Sequence, residues 1–247
     1  MGLIDQSVLE SSVSFPGWRN VVMQSLAERL SEPSDFPCLF SLKSFSRKLI
    51  KFAFVEDLSE ASLDALAEDL YEFVALSKGW DGNVSTAHPL IVAFSLEATE
   101  GCTSLEAYHA LGWRILQTLH ERDRVAWPEG IPRDPHNAYW SWCFGGMQLF
   151  VNMSAPAYTR RKSRNLGPHF MFVVNPRERF DVVAGNDATG HRLREVVRER
   201  IDTYDNYPYS HQLGHYQSGE IEWWQYSLSD VNEERYDKCP FHVKEEA

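Results

Sequence analysis

Apolar positions recur along this chain in two rhythms. Leu63, Leu66, Leu70, Phe73 and Val74 fall at helical spacing. Ser59 ahead of them is an N-cap, Glu60 suits the positive end of the helix dipole, and Gly79 stops the run. A second helix is predicted over 104–122, with Leu105, Tyr108, Leu111, Ile115 and Leu119 as its stripe and Trp127-Pro128 beyond its end. A third, over 191–204, buries Leu193, Val196, Val197, Ile201 and Tyr204 and leaves four arginines outside. Residues 1–35 are polar and interrupted by Pro16 and Pro33, with one amphipathic run from Val21 to Leu30. Short β-rich segments predict strands at Lys48–Val55, Leu90–Leu96, Phe170–Val174, Phe180–Ala184 and Trp223–Leu228. Trp140–Phe144 and Met147–Val151 flank Gly145-Gly146, a two-residue loop of the kind primed hairpin turns require.

No repeat and no low-complexity linker divides the chain. Strands and helices mix without strict alternation, which predicts an α+β fold: a single domain with a largely antiparallel or mixed β-sheet and packed helices. The expected organisation is an N-terminal helical and polar extension over 1–33 followed by one domain over 34–243.

Composition changes the picture in one respect. Hydrophobic residues make up 43% and charged residues 24% of 247, which excludes a largely disordered chain. The net charge of −11 disfavours nucleic acid as a partner and suits a cationic small substrate. The start lacks the basic and apolar regions of a signal peptide, and no stretch approaches 18 apolar residues, so a cytoplasmic protein with no membrane partner is expected. Cys38, Cys102, Cys143 and Cys239 are widely separated and give no disulfide framework.

Strong motifs are absent: there is no P-loop, GxGxxG, GxSxG, HExxH or EF-hand loop. Four weaker features remain. Arg160-Arg-Lys-Ser-Arg164 and Pro176-Arg177 place guanidinium groups among hydrophobic strands, where they need anions. These could be neighbouring Asp and Glu, or a captured carboxylate or phosphate, haem propionates included. On the second helix His109, Trp113, Leu116 and His120 share a stripe flanking the apolar face, either as a solvated boundary or as a haem-ligating edge. His211, His215, Cys239 and His242 are zinc- or iron-type ligands whose spacings match no known finger. Eight Trp, ten Tyr and fourteen Phe mostly build core, and a flat hydrophobic cofactor would exploit the rest.

A dozen short strings complete the reading. They include Phe36-Pro-Cys-Leu-Phe40, Leu116-Gln-Thr-Leu-His120-Glu-Arg-Asp123, Pro132-Arg-Asp-Pro135, Trp140-Ser-Trp-Cys-Phe-Gly-Gly146 and Phe150-Val-Asn152. Arg161-Lys-Ser-Arg-Asn-Leu-Gly167, Asn175-Pro-Arg177, Arg198-Glu-Arg-Ile-Asp-Thr-Tyr-Asp205, Leu213-Gly-His-Tyr216, Glu222-Trp-Trp-Gln-Tyr226 and Cys239-Pro-Phe241 follow in order. In that order the chain resembles the YqcI/YcgG family from about residue 34 to residue 241. Leu42-Lys43 stand where a small residue is expected and Gln217 where glycine is expected, which bears on substrate identity.

The resemblance implies a haem-dependent N-hydroxylase of arginine or related guanidino amino acids, as in cycloserine and guanitoxin biosynthesis. Haem b would be the cofactor and a free amino acid the substrate, with a guanidino or amino nitrogen hydroxylated. No flavin or Fe–S motif is visible, so an external reductase, or peroxide, is implied. On this reading His120 is the first choice of axial ligand, beside Trp113, followed by His211 and Cys239. Arg161 and Arg164, then Arg177, are the expected propionate partners, and Glu222 or Asp181 would meet a cationic substrate if their strand faces point inward. A non-catalytic haem sensor or carrier and a zinc-containing interaction module are the alternatives.

Overall fold

The computed structural model describes residues 2–11, 17–214 and 220–244. Among these, six strands form one mixed sheet in the order β1-β2-β3-β6-β5-β4. They are β1 (Ile4–Asp5), β2 (Lys51–Val55), β3 (Leu90–Phe94), β4 (Cys143–Phe144), β5 (Met147–Ser154) and β6 (Met171–Pro176). β2 and β3 pair in parallel, bridged by helix α4 (Glu60–Ser77), because parallel neighbours need a crossover. The other pairs are antiparallel, so the fold is α+β with a mixed sheet.

Period-two alternation sorts the strands onto two faces. Ala53, Val55, Leu90, Val92, Leu149, Val151, Met153, Phe172 and Val174 face α4 and α5 (Leu105–Arg122), forming a dense aromatic core. Phe52, Phe54, Ile91, Ala93 and Met171 face α2 (Gly17–Leu30) and α3 (Leu39–Ser46). The expected cap is present, Ser59 Oγ accepting from the Ser62 amide, and α5 is capped in the same way, Ser104 Oγ accepting from the Ala107 amide. The hairpin forms where expected, with φ of 60° and 75° at Gly145 and Gly146, a left-handed pair that only glycine adopts freely. At Gly112, a Cβ would lie 2.6 Å from Met153 Sδ, so the absent side chain lets α5 press onto β5.

Two expected strands are helices. Phe180–Ala184 belongs to α6 (Glu178–Val183), with Glu178 and Asp181 in its first turn. The Arg177 amide donates to the Gln148 carbonyl at the end of the ladder, and the chain then leaves the sheet. Trp223–Leu228 contains α8 (Trp223–Tyr226). Helical spacing of three carries both Trp223 and Tyr226 into the core, where alternation would have sent them to opposite faces.

The third helix, α7 (Ala188–Asp205), forms over the predicted span but does not bury its apolar stripe. Val196 is exposed, and only Gly190 and Asp205 among its described residues are buried. Its arginines do not all face outward either. Arg194 donates to the Ala184 and Gly185 carbonyls, Arg198 to Leu213 and Arg200 to Phe36 and Pro37. Long stems reaching sideways satisfy carbonyls at the rim of a space that α7 covers without filling. At the N-terminus, α1 (Gln6–Ser11) follows β1, and Val22, Leu26 and Leu30 of α2 enter the second core.

Candidate functional site

The space beneath α7 is a cavity of about 270 Å³. Its floor is the second face of the sheet: Ile91, Val173, Phe150, Asn152, Ser154 and Asn175. Strand register makes this floor, since Phe150 pairs with Asn175 and Asn152 with Val173. Leu26, Leu30, Phe36 and Ile50 wall one side, and Phe180, Val197 and Ile201 close the top. The enclosure is mostly apolar, as small-molecule sites are, with a few convergent polar groups.

Three of those groups are guanidinium. Arg161 Nε donates to the Ser229 carbonyl at 2.6 Å and Nη2 to Asn232 Oδ1 at 2.6 Å. Arg164 Nη1 donates to Asn152 Oδ1 at 2.7 Å and to the Gln225 carbonyl at 2.9 Å. Arg179 reaches the His88 carbonyl at 2.7 Å and Ser77 Oγ at 3.1 Å. All three are buried and line the cavity. None has a carboxylate oxygen within 4.0 Å among the described residues. Burial lowers the pKa of Arg161 and Arg164, and takes that of Arg179 down to about 10. Buried cations held only by neutral acceptors retain an uncompensated charge. The cavity is therefore an anion-attracting space with greasy walls.

One carboxylate also lines it: Asp205, the last residue of α7. Ser163 donates to it twice, from its amide at 2.7 Å and its Oγ at 2.9 Å. Burial raises its pKa despite those bonds and the attraction of Arg161 and Arg164.

Two donor atoms suited to iron lie near the cavity. Cys38 is a wall residue, at the N-cap of α3. His88 sits between the wall residues Ala87 and Pro89, with Nδ1 2.8 Å from the Leu49 carbonyl. That hydrogen bond is the orientation metal-bound imidazoles usually carry.

The sequence-predicted residues divide into groups. Arg161 and Arg164 meet at the cavity. Arg177 does not join them: its Nε lies 2.8 Å from Glu222 Oε2 and its Nη2 lies 3.2 Å from Asp181 Oδ1. The two carboxylates singled out for a cationic substrate thus converge on an internal arginine. Glu222 also accepts from Ser141 Oγ at 2.7 Å and Tyr226 at 2.8 Å, and burial raises its pKa. Both residues stand on helices or at their caps, not on strands.

His120, Trp113 and Cys239 belong to the aromatic core on the opposite face of the sheet. His120 is buried against Trp127 and Phe241, its Nε2 receives the Lys244 amide at 3.0 Å, and its Nδ1 has no partner among the described residues. Trp113 stacks on Tyr226 and donates to Ser227 Oγ at 3.0 Å. The Cys239 thiol is pushed up to about 12 by burial. His211 is exposed beside the Tyr209 ring. His215 and Gln217 lie outside the described residues. Among the described residues, no three His, Cys, Asp or Glu side chains form a group able to hold a metal ion, so they supply no zinc site. No helix there is long and apolar enough to cross a membrane.

Of the residues missed by sequence reasoning, Asn152, Asn175, Asp205 and Cys38 had a signal and Arg179 had none. Asn152 and Asn175 each interrupt an apolar strand on the same face as Phe150. Cys38 and Asp205 lie within the strings that carry the family resemblance.

Fold and cavity together define an α+β protein with a mostly apolar chamber on one face of its sheet, lined by three buried guanidinium groups. The chain belongs to the YqcI/YcgG family, whose model matches residues 26–242. It is 48% identical over 225 residues, 91% of this chain and 84% of the relative, to a Streptomyces lavendulae protein named "Putative N(omega)-hydroxy-L-arginine synthase DcsA". It is 35% identical to the "Uncharacterized protein YcgG" of Bacillus subtilis (strain 168), over 97% of this chain and 94% of that one. "Uncharacterized protein YqcI" of the same organism is 30% identical, over 92% and 89% respectively. No solved structure matches the chain.

Proposed function

We propose that this protein is a haem-dependent monooxygenase that hydroxylates a guanidino nitrogen of L-arginine or a close derivative. The observation that carries the reading is the set of buried guanidinium groups lacking carboxylate partners on an apolar cavity. The name of the Streptomyces relative supports the substrate class. The cavity's chemistry suits haem b: apolar walls for the macrocycle, Arg161 and Arg164 for its propionates, and a soft donor in Cys38 for iron. A bound haem supplies oxygen activation; the chain supplies binding, orientation and exclusion of water.

One oxygen atom of O₂ enters a guanidino N–H bond, giving N–OH, and two electrons and two protons from an external donor reduce the other to water. Hydrogen peroxide would replace oxygen and donor together.

Cys38 is the ligand we favour because it is a cysteine among the residues that line the cavity. The Nδ1 bond of His88 favours a second reading, with its Nε2 as ligand. Expression with haem precursor should yield a protein with a Soret band, and the reduced carbon monoxide spectrum separates thiolate from imidazole ligation. Incubation with L-arginine and either reductant or peroxide should give a product heavier by one oxygen atom. Colourless protein under these conditions overturns the proposal.

A further inference from the structure

We infer that Asp205 receives the guanidinium group of the substrate. The inference rests on the function proposed above and identifies the atoms that read the substrate. Among the described residues, Asp205 is the one carboxylate on the cavity lining, and no Lys or Arg nitrogen is within 4.0 Å of it. Ser163 occupies one acceptor position on each oxygen, Oδ1 through its amide and Oδ2 through its hydroxyl. A carboxylate has about four such positions. Acceptor capacity remains on each oxygen, and a guanidinium N–H can donate to either.

The position is electrostatically poor without a cation. Asp205 ends α7, where the helix dipole is negative, and Asn206 follows in the left-handed region at φ 50°. Its burial raises the cost of the charge, which Arg161 and Arg164 offset only from a distance. A cationic ligand between the carboxylate and the apolar roof of Val197 and Ile201 would supply the missing partner. The arrangement also separates duties, with anionic groups drawn to the arginines and the guanidinium drawn to the end of α7.

The test compares L-arginine with L-citrulline, whose neutral ureido group has nearly the same shape. Calorimetric titration of the protein as isolated should show arginine binding preferred over citrulline. In Asp205→Asn the arginine affinity should fall roughly a hundredfold, the scale of losing charged hydrogen bonds, while citrulline binding and haem content stay unchanged. If Asp205→Asn does not fold, Ser163→Ala reads the same contact, since it frees the carboxylate from its orienting hydroxyl. Arginine affinity should then drop several-fold. A folded Asp205→Asn, or Ser163→Ala in its place, that binds arginine as tightly as the wild type overturns this assignment and leaves the function standing. Wild-type protein that binds no guanidino compound overturns both.

Discussion

Replacing Arg164 with methionine separates a structural arginine from a binding one. Methionine keeps the long unbranched stem and removes the charge. Two hydrogen bonds are lost, at 2.7 Å to Asn152 and 2.9 Å to the Gln225 carbonyl. Bonds from a charged donor contribute about 1.5–3 kcal/mol each, and the stranded Gln225 oxygen adds about 1–3 kcal/mol. Against this stands the burial of a guanidinium without a carboxylate, a penalty of several kcal/mol that the substitution relieves. The opposing contributions are of similar size, so the stability of the ligand-free protein should change by no more than about 2 kcal/mol. A structural ion pair broken at one end would instead cost about 3–5 kcal/mol. Haem retention behaves differently, because the cation facing the propionate is gone. Its loss should speed haem transfer to apomyoglobin by roughly tenfold or more. Urea unfolding measures the first quantity and stopped-flow transfer the second. A large loss of stability with unchanged haem transfer would refute the reasoning.

Other predictions follow from the same geometry. Glu222→Gln should lower stability by about 2–4 kcal/mol by stripping the buried Arg177 of its closest carboxylate, read from the urea midpoint, with arginine binding unaffected because the network lies off the cavity. Burial, then repulsion from Arg235 and Arg164, brings the His109 imidazole down to about 4. Its folded pKa is depressed, so its contribution is complete above the unfolded value near 6.5 and lost as pH falls toward 4. That is about 3 kcal/mol over the window, and His109→Gln should flatten this part of the stability–pH curve. Gly112→Ala should lower stability by about 1–3 kcal/mol through overpacking against Met153 and Phe170, seen as a lower Tm.

What the sequence made legible followed from local chemistry. Ser59 caps the helix it was expected to cap, and the glycine pair turns the hairpin, because each needs only its immediate neighbours. Trp223–Leu228 and Phe180–Ala184 were misread because aromatic and β-branched residues suit both strand and buried helix, and only tertiary packing decides. The site was half legible for a related reason. Arg161 and Arg164 announce themselves as cations in apolar surroundings. Whether such a cation meets an internal carboxylate, as Arg177 does, or neutral acceptors beside a cavity, as Arg164 does, depends on residues distant in sequence. His120 shows the converse: a family string places it, but the sheet lies between its ring and the cavity.

The thin cover over the cavity bears on the life of the protein in a cell. Helix α7 buries little, and three of its arginines moor it to carbonyls of neighbouring segments. A molecule beneath it would supply the missing underside, and binding to the native state alone stabilises that state by mass action. The empty chain is then the form whose roof opens first and is cleaved first by proteases. Steady-state abundance would track the supply of whatever fills the chamber, so that cells starved of it discard the polypeptide before it accumulates idle.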